Sequence, residues 1–471
     1  MTFDSVVFWL FLPLAWIAWR GLPFGMARTA LVILSLVFYA WWNPAYVLLI
    51  LASAAIDYRI GAALAATDDA RRRKRLVTLS VVLNLGLLGV FKYTPMIART
   101  AGALGGFAPD PDFLESWIVP VGISFFTFQT LSYSIDLYRR RVDPAQSFRD
   151  FLLYVAFFPQ LVAGPIVRAR TFLPQLEHRA PLSALRIRYG AYRCIEGLFL
   201  KIVVADGLAP AVSQGFDQTA AALSPVGAWY SAVLFGGQIF ADFAGYTGIA
   251  IGVACLLGLR FPENFRAPYL STSLSEFWSR WHISLSTWLR DYLYVPLGGN
   301  RKGRIRTYVN LMLVMLLGGL WHGASWSFVI WGGLHGGALA LVRAVSSWRK
   351  RPLPGWARVF AGVAVFGFVQ VTWVFFRAQD LETARAIAHA MLVDPFKVLA
   401  GGDMSVGTRS PSWRFAVLLV PIAVMHLAQW LHERFSIPRS ELLRAIAAGL
   451  MLFAITVFRR SEVYQFIYFQ F

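Results

Sequence analysis

The sequence predicts an all-α polytopic membrane protein, and three observations carry that prediction. The 471 residues are 57% hydrophobic, 15% aromatic and only 15% charged, far too apolar for a soluble chain of this size. The apolar residues gather into stretches long enough to cross a bilayer, which takes roughly 20 residues. The basic residues gather between them, at Arg71–Arg75, Arg139–Arg141, Arg301–Arg306 and Arg349–Arg351, as the positive-inside rule requires of cytoplasmic loops. The formal charge of +19 therefore reads as membrane topology and not as a nucleic-acid footprint.

In chain order, spans are expected near 5–19, 29–45, 46–66, 76–93, 116–137, 226–258, 307–320, 324–342, 357–376, 414–431 and 443–458, ten or eleven in all. No repeat or low-complexity linker divides them, so residues 1–471 are expected to form one membrane-embedded domain. Phe151 to Val167 is uncharged but interrupted by Pro159, Gly164 and Pro165, which predicts a broken or re-entrant segment packed within protein. Residues 275–294 place Phe277, Trp281, Leu285, Trp288 and Tyr292 at three- and four-residue spacing, the pattern of an amphipathic helix lying in the interface. Next comes the turn-rich run Pro296 to Arg301, whose Gly298 and Gly299 allow positive φ. Asn300, Arg301 and the cations after them could hold the phosphates of a cytoplasmic donor, although topology alone explains the charges.

Counting spans from the basic clusters puts both termini outside, with Arg459 and Arg460 counting against this for the C-terminus. The first apolar stretch has neither a basic flank before it nor a small-residue cleavage site after it, so a removed signal peptide is not expected. Cys194 and Cys255 offer neither metal spacing nor a disulfide framework, and no metal site is expected.

Between Arg306 and Arg343 there is no Asp, Glu, Lys or Arg, yet the stretch carries His322 and His335. An ionisable side chain at membrane depth is costly and marks a functional site by default. The alternative for each is a packing histidine bonded to the backbone.

Longer motifs sharpen this reading. The run Ser275-Glu-Phe-Trp-Ser-Arg-Trp-His-Ile-Ser284 continues to Gly299-Asn-Arg301 and is followed by Gly318-Gly-Leu-Trp-His-Gly-Ala-Ser-Trp326. These segments resemble the membrane-bound O-acyltransferase family, in the bacterial branch that serves alginate O-acetylation and teichoic acid D-alanylation. Gly122 to Gln129, Pro159 to Arg168 and Phe261-Pro-Glu-Asn-Phe265 agree in order, and the resemblance is densest over about 120–345. Phe240 to Gly248 is similar to a further family segment. It retains Asp242, but Ala244 stands where Ser is usual and Gly248 where Asp is usual.

The resemblance implies that His322 is catalytic and that His282 is its partner. Acyl transfer from a thioester to a hydroxyl needs a base that works near neutral pH, which suits imidazole. Trp321, Asn300, Arg301 and Asp242 are the expected substrate-binding residues. Asp242, as an intramembrane carboxylate, would orient a histidine or pair with an arginine, functionally or only structurally; His335 has no family role and is expected to be structural. The aromatic tail 464–471 contains Tyr468, at a position matching a tyrosine thought to take the acyl group in this branch; the alternative is an interfacial anchor. A phenol with a pKa near 10 is far more readily deprotonated than a sugar hydroxyl and would serve as a covalent relay.

The function expected from the resemblance is transfer of acetyl from cytoplasmic acetyl-CoA, a substrate and not a bound cofactor, across the inner membrane to an extracytoplasmic polysaccharide such as alginate. The partners implied are the lipid bilayer and a periplasmic or membrane-tethered SGNH-type acetyltransferase, with no nucleic acid. Two rivals are O-acetylation of peptidoglycan or another exopolysaccharide, and a transporter that moves an acyl donor without chemistry.

Overall fold

The computed structural model describes residues 1–108, 110, 112, 117–217, 224–348, 353–399, 413–436, 440–459 and 464–467. Among them the regular elements are all helical. Seven helices are long and apolar enough to cross a membrane: Ala45–Ala65, Ala70–Gly105, Pro225–Leu256, Trp326–Ser346, Gly355–Arg377, Arg414–Phe435 and Glu441–Phe458. Val6–Gly21 and Phe24–Ala40 are shorter apolar helices. The chain is a multi-pass all-α membrane protein. Each span expected from the sequence overlaps a helix, Ile123–Tyr138 and Arg304–His322 included, and seven helices among the described residues meet the length and hydropathy requirement for crossing.

The polypeptide divides into two compact units, Met1–Cys194 with Tyr246–Pro262, and Ile195–Gly245 with Glu263–Phe471. The first holds the broken segment. Phe148–Ala156 is capped by the Ser147 hydroxyl, stops before Phe157 and resumes as the single turn Phe158–Leu161. Residues 151–167 are buried throughout, as the proline and glycine interruptions suggested. The Tyr154 hydroxyl donates to the carbonyls of Gln129 and Val167 at 3.1 and 3.2 Å and so fastens it from within. Gly122, at φ +79, lies so close to the Leu161 carbonyl that a Cβ would collide with it. The same unit buries Asp57, which accepts from Ser80 Oγ at 2.7 Å and Asn84 Nδ2 at 2.8 Å; side-chain amides and hydroxyls satisfy an intramembrane carboxylate that the sequence reading passed over.

The second unit is built around the Arg304–His322 and Trp326–Trp348 hairpin. Glycines let its two backbones meet: a Cβ on Gly319 would strike the Phe328 carbonyl, and one on Gly332 the Met315 carbonyl. Small residues play this part between helices in lipid, where dispersion contacts replace the hydrophobic effect. Trp281, Trp331, Trp373 and Phe376 fill the core beside the hairpin. Glu441–Phe458 buries no residue, and its apolar surface suits contact with acyl chains. Ala184–Leu198, the π-helical turn Phe199–Ala205 and Asp206–Phe216 form a helical run without a break. The sequence reading missed it because Arg186, Arg188, Arg193, Glu196, Lys201 and Asp206 interrupt its apolar pattern.

The expected interfacial helix over 275–294 is corrected by the structure. It is two helices, Leu274–Arg280 and Ile283–Leu289, followed by a π-helical turn Arg290–Tyr294. The cause is His282, whose φ of +43° and ψ of +54° are left-handed and cannot continue a right-handed helix. The apolar set Phe277, Trp281, Leu285, Trp288 and Tyr292 is buried within the protein and does not form an interfacial face.

Candidate active site

His322 is the last residue of the Arg304–His322 helix, and its ring is 4% exposed. The helix ends there because Gly323 takes an extended backbone. No side chain fits at 323, since a Cβ would enter the Phe328 ring. That accounts for the glycine in Trp-His-Gly.

His282 is fully buried and held in a conformation that costs a non-glycine residue on the order of 1–3 kcal/mol. Asn264 holds the turn in place. Its carbonyl accepts from Ile283 N at 3.0 Å and its side-chain Oδ1 from Ser284 N at 3.1 Å, the two amides that directly follow the histidine. Arg266 N donates to the Arg280 carbonyl at 3.0 Å on the other flank. Burial lowers the His282 pKa well below the usual imidazole range, so the ring is neutral.

The two imidazoles lie edge-to-face with ring centroids 6.3 Å apart and planes at 62°. Trp321 lies edge-on to both, 5.8 Å from His282 and 5.0 Å from His322. Trp331 and Phe376 close on His322 at 5.2 and 5.3 Å, and Phe243 on His282 at 4.6 Å. Two bases in an aromatic, water-poor setting can share the proton traffic of an acyl transfer, one taking the proton of the attacking hydroxyl and one supplying the leaving group.

Of the residues singled out in the sequence, the structure therefore brings His322, His282 and Trp321 together. Asn300 and Arg301 are not brought to them. Both are exposed in the turn before the Arg304–His322 helix, and those 19 residues put that turn roughly 27 Å from His322 along the helix axis. Asp242 pairs with a lysine: Lys201 Nζ lies 3.1 Å from Asp242 and 2.8 Å from Asp206, all three buried. Gly245 permits this approach, since a Cβ there would stand 2.7 Å from the Gly197 carbonyl. His335 Nε2 lies 3.0 Å from Thr372 Oγ1 amid Trp278, Trp331 and Phe368. Tyr468 lies outside the described residues.

Sequence reasoning gave no role to Asn264 or Lys201. Asn264 stood in the quoted Phe261 to Phe265 segment, which was its only signal. Lys201 gave none beyond being a cation among apolar residues.

Residues 112–378 match the model of MBOAT, the membrane-bound O-acyltransferase family. The chain is 42% identical over 397 residues to the probable alginate O-acetylase AlgI of Azotobacter vinelandii, covering 83% of this chain and 78% of that one. It is 36% identical to the peptidoglycan O-acetyltransferase of Helicobacter pylori, covering 77% and 73%. To the teichoic acid D-alanyltransferase of Bacillus subtilis it is 28% identical, covering 53% and 66%. With more than half of its length matched by the family model and 42% identity to a relative over most of both chains, the chain belongs to the membrane-bound O-acyltransferase family and is an acyltransferase.

Proposed function

We propose that this protein is a membrane O-acetyltransferase that takes acetyl from cytoplasmic acetyl-CoA and passes it, through His322 and Tyr468, toward an extracytoplasmic polysaccharide. The observation that carries this reading is the buried His282–His322 pair, in a chain whose relatives over most of its length are named as O-acetylases. His322 takes the phenolic proton of Tyr468, and the phenolate attacks the thioester carbonyl. The carbon–sulfur bond breaks, and the thiolate leaves with a proton from an imidazolium. The acetyl-tyrosine ester is then open to an acceptor hydroxyl, in a second transfer that regenerates the phenol. Alginate suits the acceptor and an SGNH-type transferase in the periplasm suits the immediate partner. The inner membrane, with both termini outside, is the matching location.

A charged coenzyme docks first on the cytoplasmic side, its phosphates against Arg301 and the cations that follow. That turn lies roughly 27 Å from His322 along the helix axis, so the donor moves inward before its thioester meets the histidine pair. Peptidoglycan is the second reading for the acceptor, favoured by the 36% identical relative of that name.

The test is mass spectrometry of the C-terminal peptide after incubating the purified chain with acetyl-CoA. The wild type gains one acetyl group on Tyr468, while Tyr468→Phe gains none and loses polymer acetylation, though it keeps the ring and any interfacial anchoring. Wild-type polymer acetylation by Tyr468→Phe would remove the relay.

A further inference from the structure

The C-terminal segment is held by the buried ion cluster that surrounds Lys201. Lys201 Nζ donates to the Tyr464 carbonyl at 3.0 Å, and Asp242 Oδ2 accepts from the Ile467 amide at 2.7 Å. Both contacts are to main chain, one to a carbonyl and one to an amide, by two oppositely charged side chains that are themselves paired at 3.1 Å. Asp206 balances the charge from the other side of the lysine. Phe466 and Ile467 are 2% and 6% exposed. Phe466 lies 6.1 Å from Phe243, whose ring also packs on His282.

A lysine between two carboxylates is costly to bury unless its remaining donors and acceptors are used, and here the tail's backbone uses them. The two polar contacts read chain direction and spacing, and the buried Phe466 and Ile467 side chains add apolar packing. We infer that Lys201 and Asp242 form a latch that grips the main chain of residues 464–467 and thereby fixes the segment immediately before Tyr468 beside the histidine pair. Lys201, Asp206 and Asp242 are positioning residues for the transfer and do not touch the substrate. This purpose rests on the tyrosine relay proposed above, whereas the grip itself does not.

The experiment uses the full chain in lipid nanodiscs and measures amide hydrogen exchange of the peptide spanning 464–467. Ile467→Pro deletes the gripped amide and also trims a side chain buried in the core, Ile467→Leu keeps the amide, and Asp242→Asn weakens the grip from the other side. Exchange at least tenfold faster in Ile467→Pro and Asp242→Asn, with Ile467→Leu like wild type and an unchanged unfolding temperature in Ile467→Pro, supports the latch. Should Asp242→Asn fail to fold, the proline variant still decides. Wild-type exchange in Ile467→Pro overturns the latch, whatever happens to acetyl transfer. Faster exchange with wild-type transfer leaves the grip standing and overturns its role in positioning Tyr468.

Discussion

Asn264→Ala separates positioning from packing at the candidate site. The substitution removes Oδ1, which accepts from Ser284 N at 3.1 Å, and leaves the main-chain contact to Ile283 N intact. A buried amide deprived of its acceptor costs about 1–3 kcal/mol. The left-handed backbone at His282 already stores a comparable amount, on the order of 1–3 kcal/mol. With the restraint and the strain so evenly matched, the turn relaxes and the imidazole moves. Misplacing a reacting group by about 1 Å costs roughly 10²-fold in rate, so kcat should fall by about that factor with KM little changed. The assay is acetyl transfer by single and double variants at saturating acetyl-CoA. Because Asn264 acts only through His282, Asn264→Ala/His282→Ala should be no slower than His282→Ala alone. Independent, multiplying losses would refute the argument, as would an Asn264→Ala enzyme with wild-type kcat.

Two further outcomes follow from the same geometry. Gly332→Leu drives a side chain into the Met315 carbonyl, so thermal unfolding should show a loss of at least about 1–3 kcal/mol, as overpacking does; unchanged stability would mean that the hairpin is looser than its contacts indicate. His335→Gln keeps a polar group able to reach Thr372 Oγ1, and its transfer per folded molecule should match wild type. A folded His335→Gln enzyme without activity would give that histidine a chemical role.

Much of this was legible in the sequence, for reasons that differ by residue. The spans, the apolar set of 277–292 and the broken 151–167 segment follow from periodicity, proline and charge placement, which are local properties. His322 stood out through its Trp-His-Gly motif, since an imidazole in an uncharged stretch can equally be a packing histidine, as the contacts of His335 show. The helix break at His282 was hidden, because nothing in Arg-Trp-His-Ile-Ser reads as a stop; the left-handed turn is imposed by Asn264, 18 residues upstream. Lys201 and Asp242 are 41 residues apart, and only tertiary packing through Gly245 and Gly197 pairs them. Asn300 and Arg301 show the opposite failure. They follow His282 closely in sequence, yet a membrane-length helix separates them from His322.

The most direct test of the account is single-turnover loss of the acetyl-CoA thioester in the presence of the purified, bilayer-reconstituted chain, wild type against His322→Ala. Losing a general base removes about 10²–10⁴-fold in rate. The account therefore predicts a burst of free thiol, stoichiometric with enzyme, that slows by that factor in His322→Ala while the variant stays folded and still binds acetyl-CoA. A folded His322→Ala chain that releases thiol at the wild-type rate would contradict it.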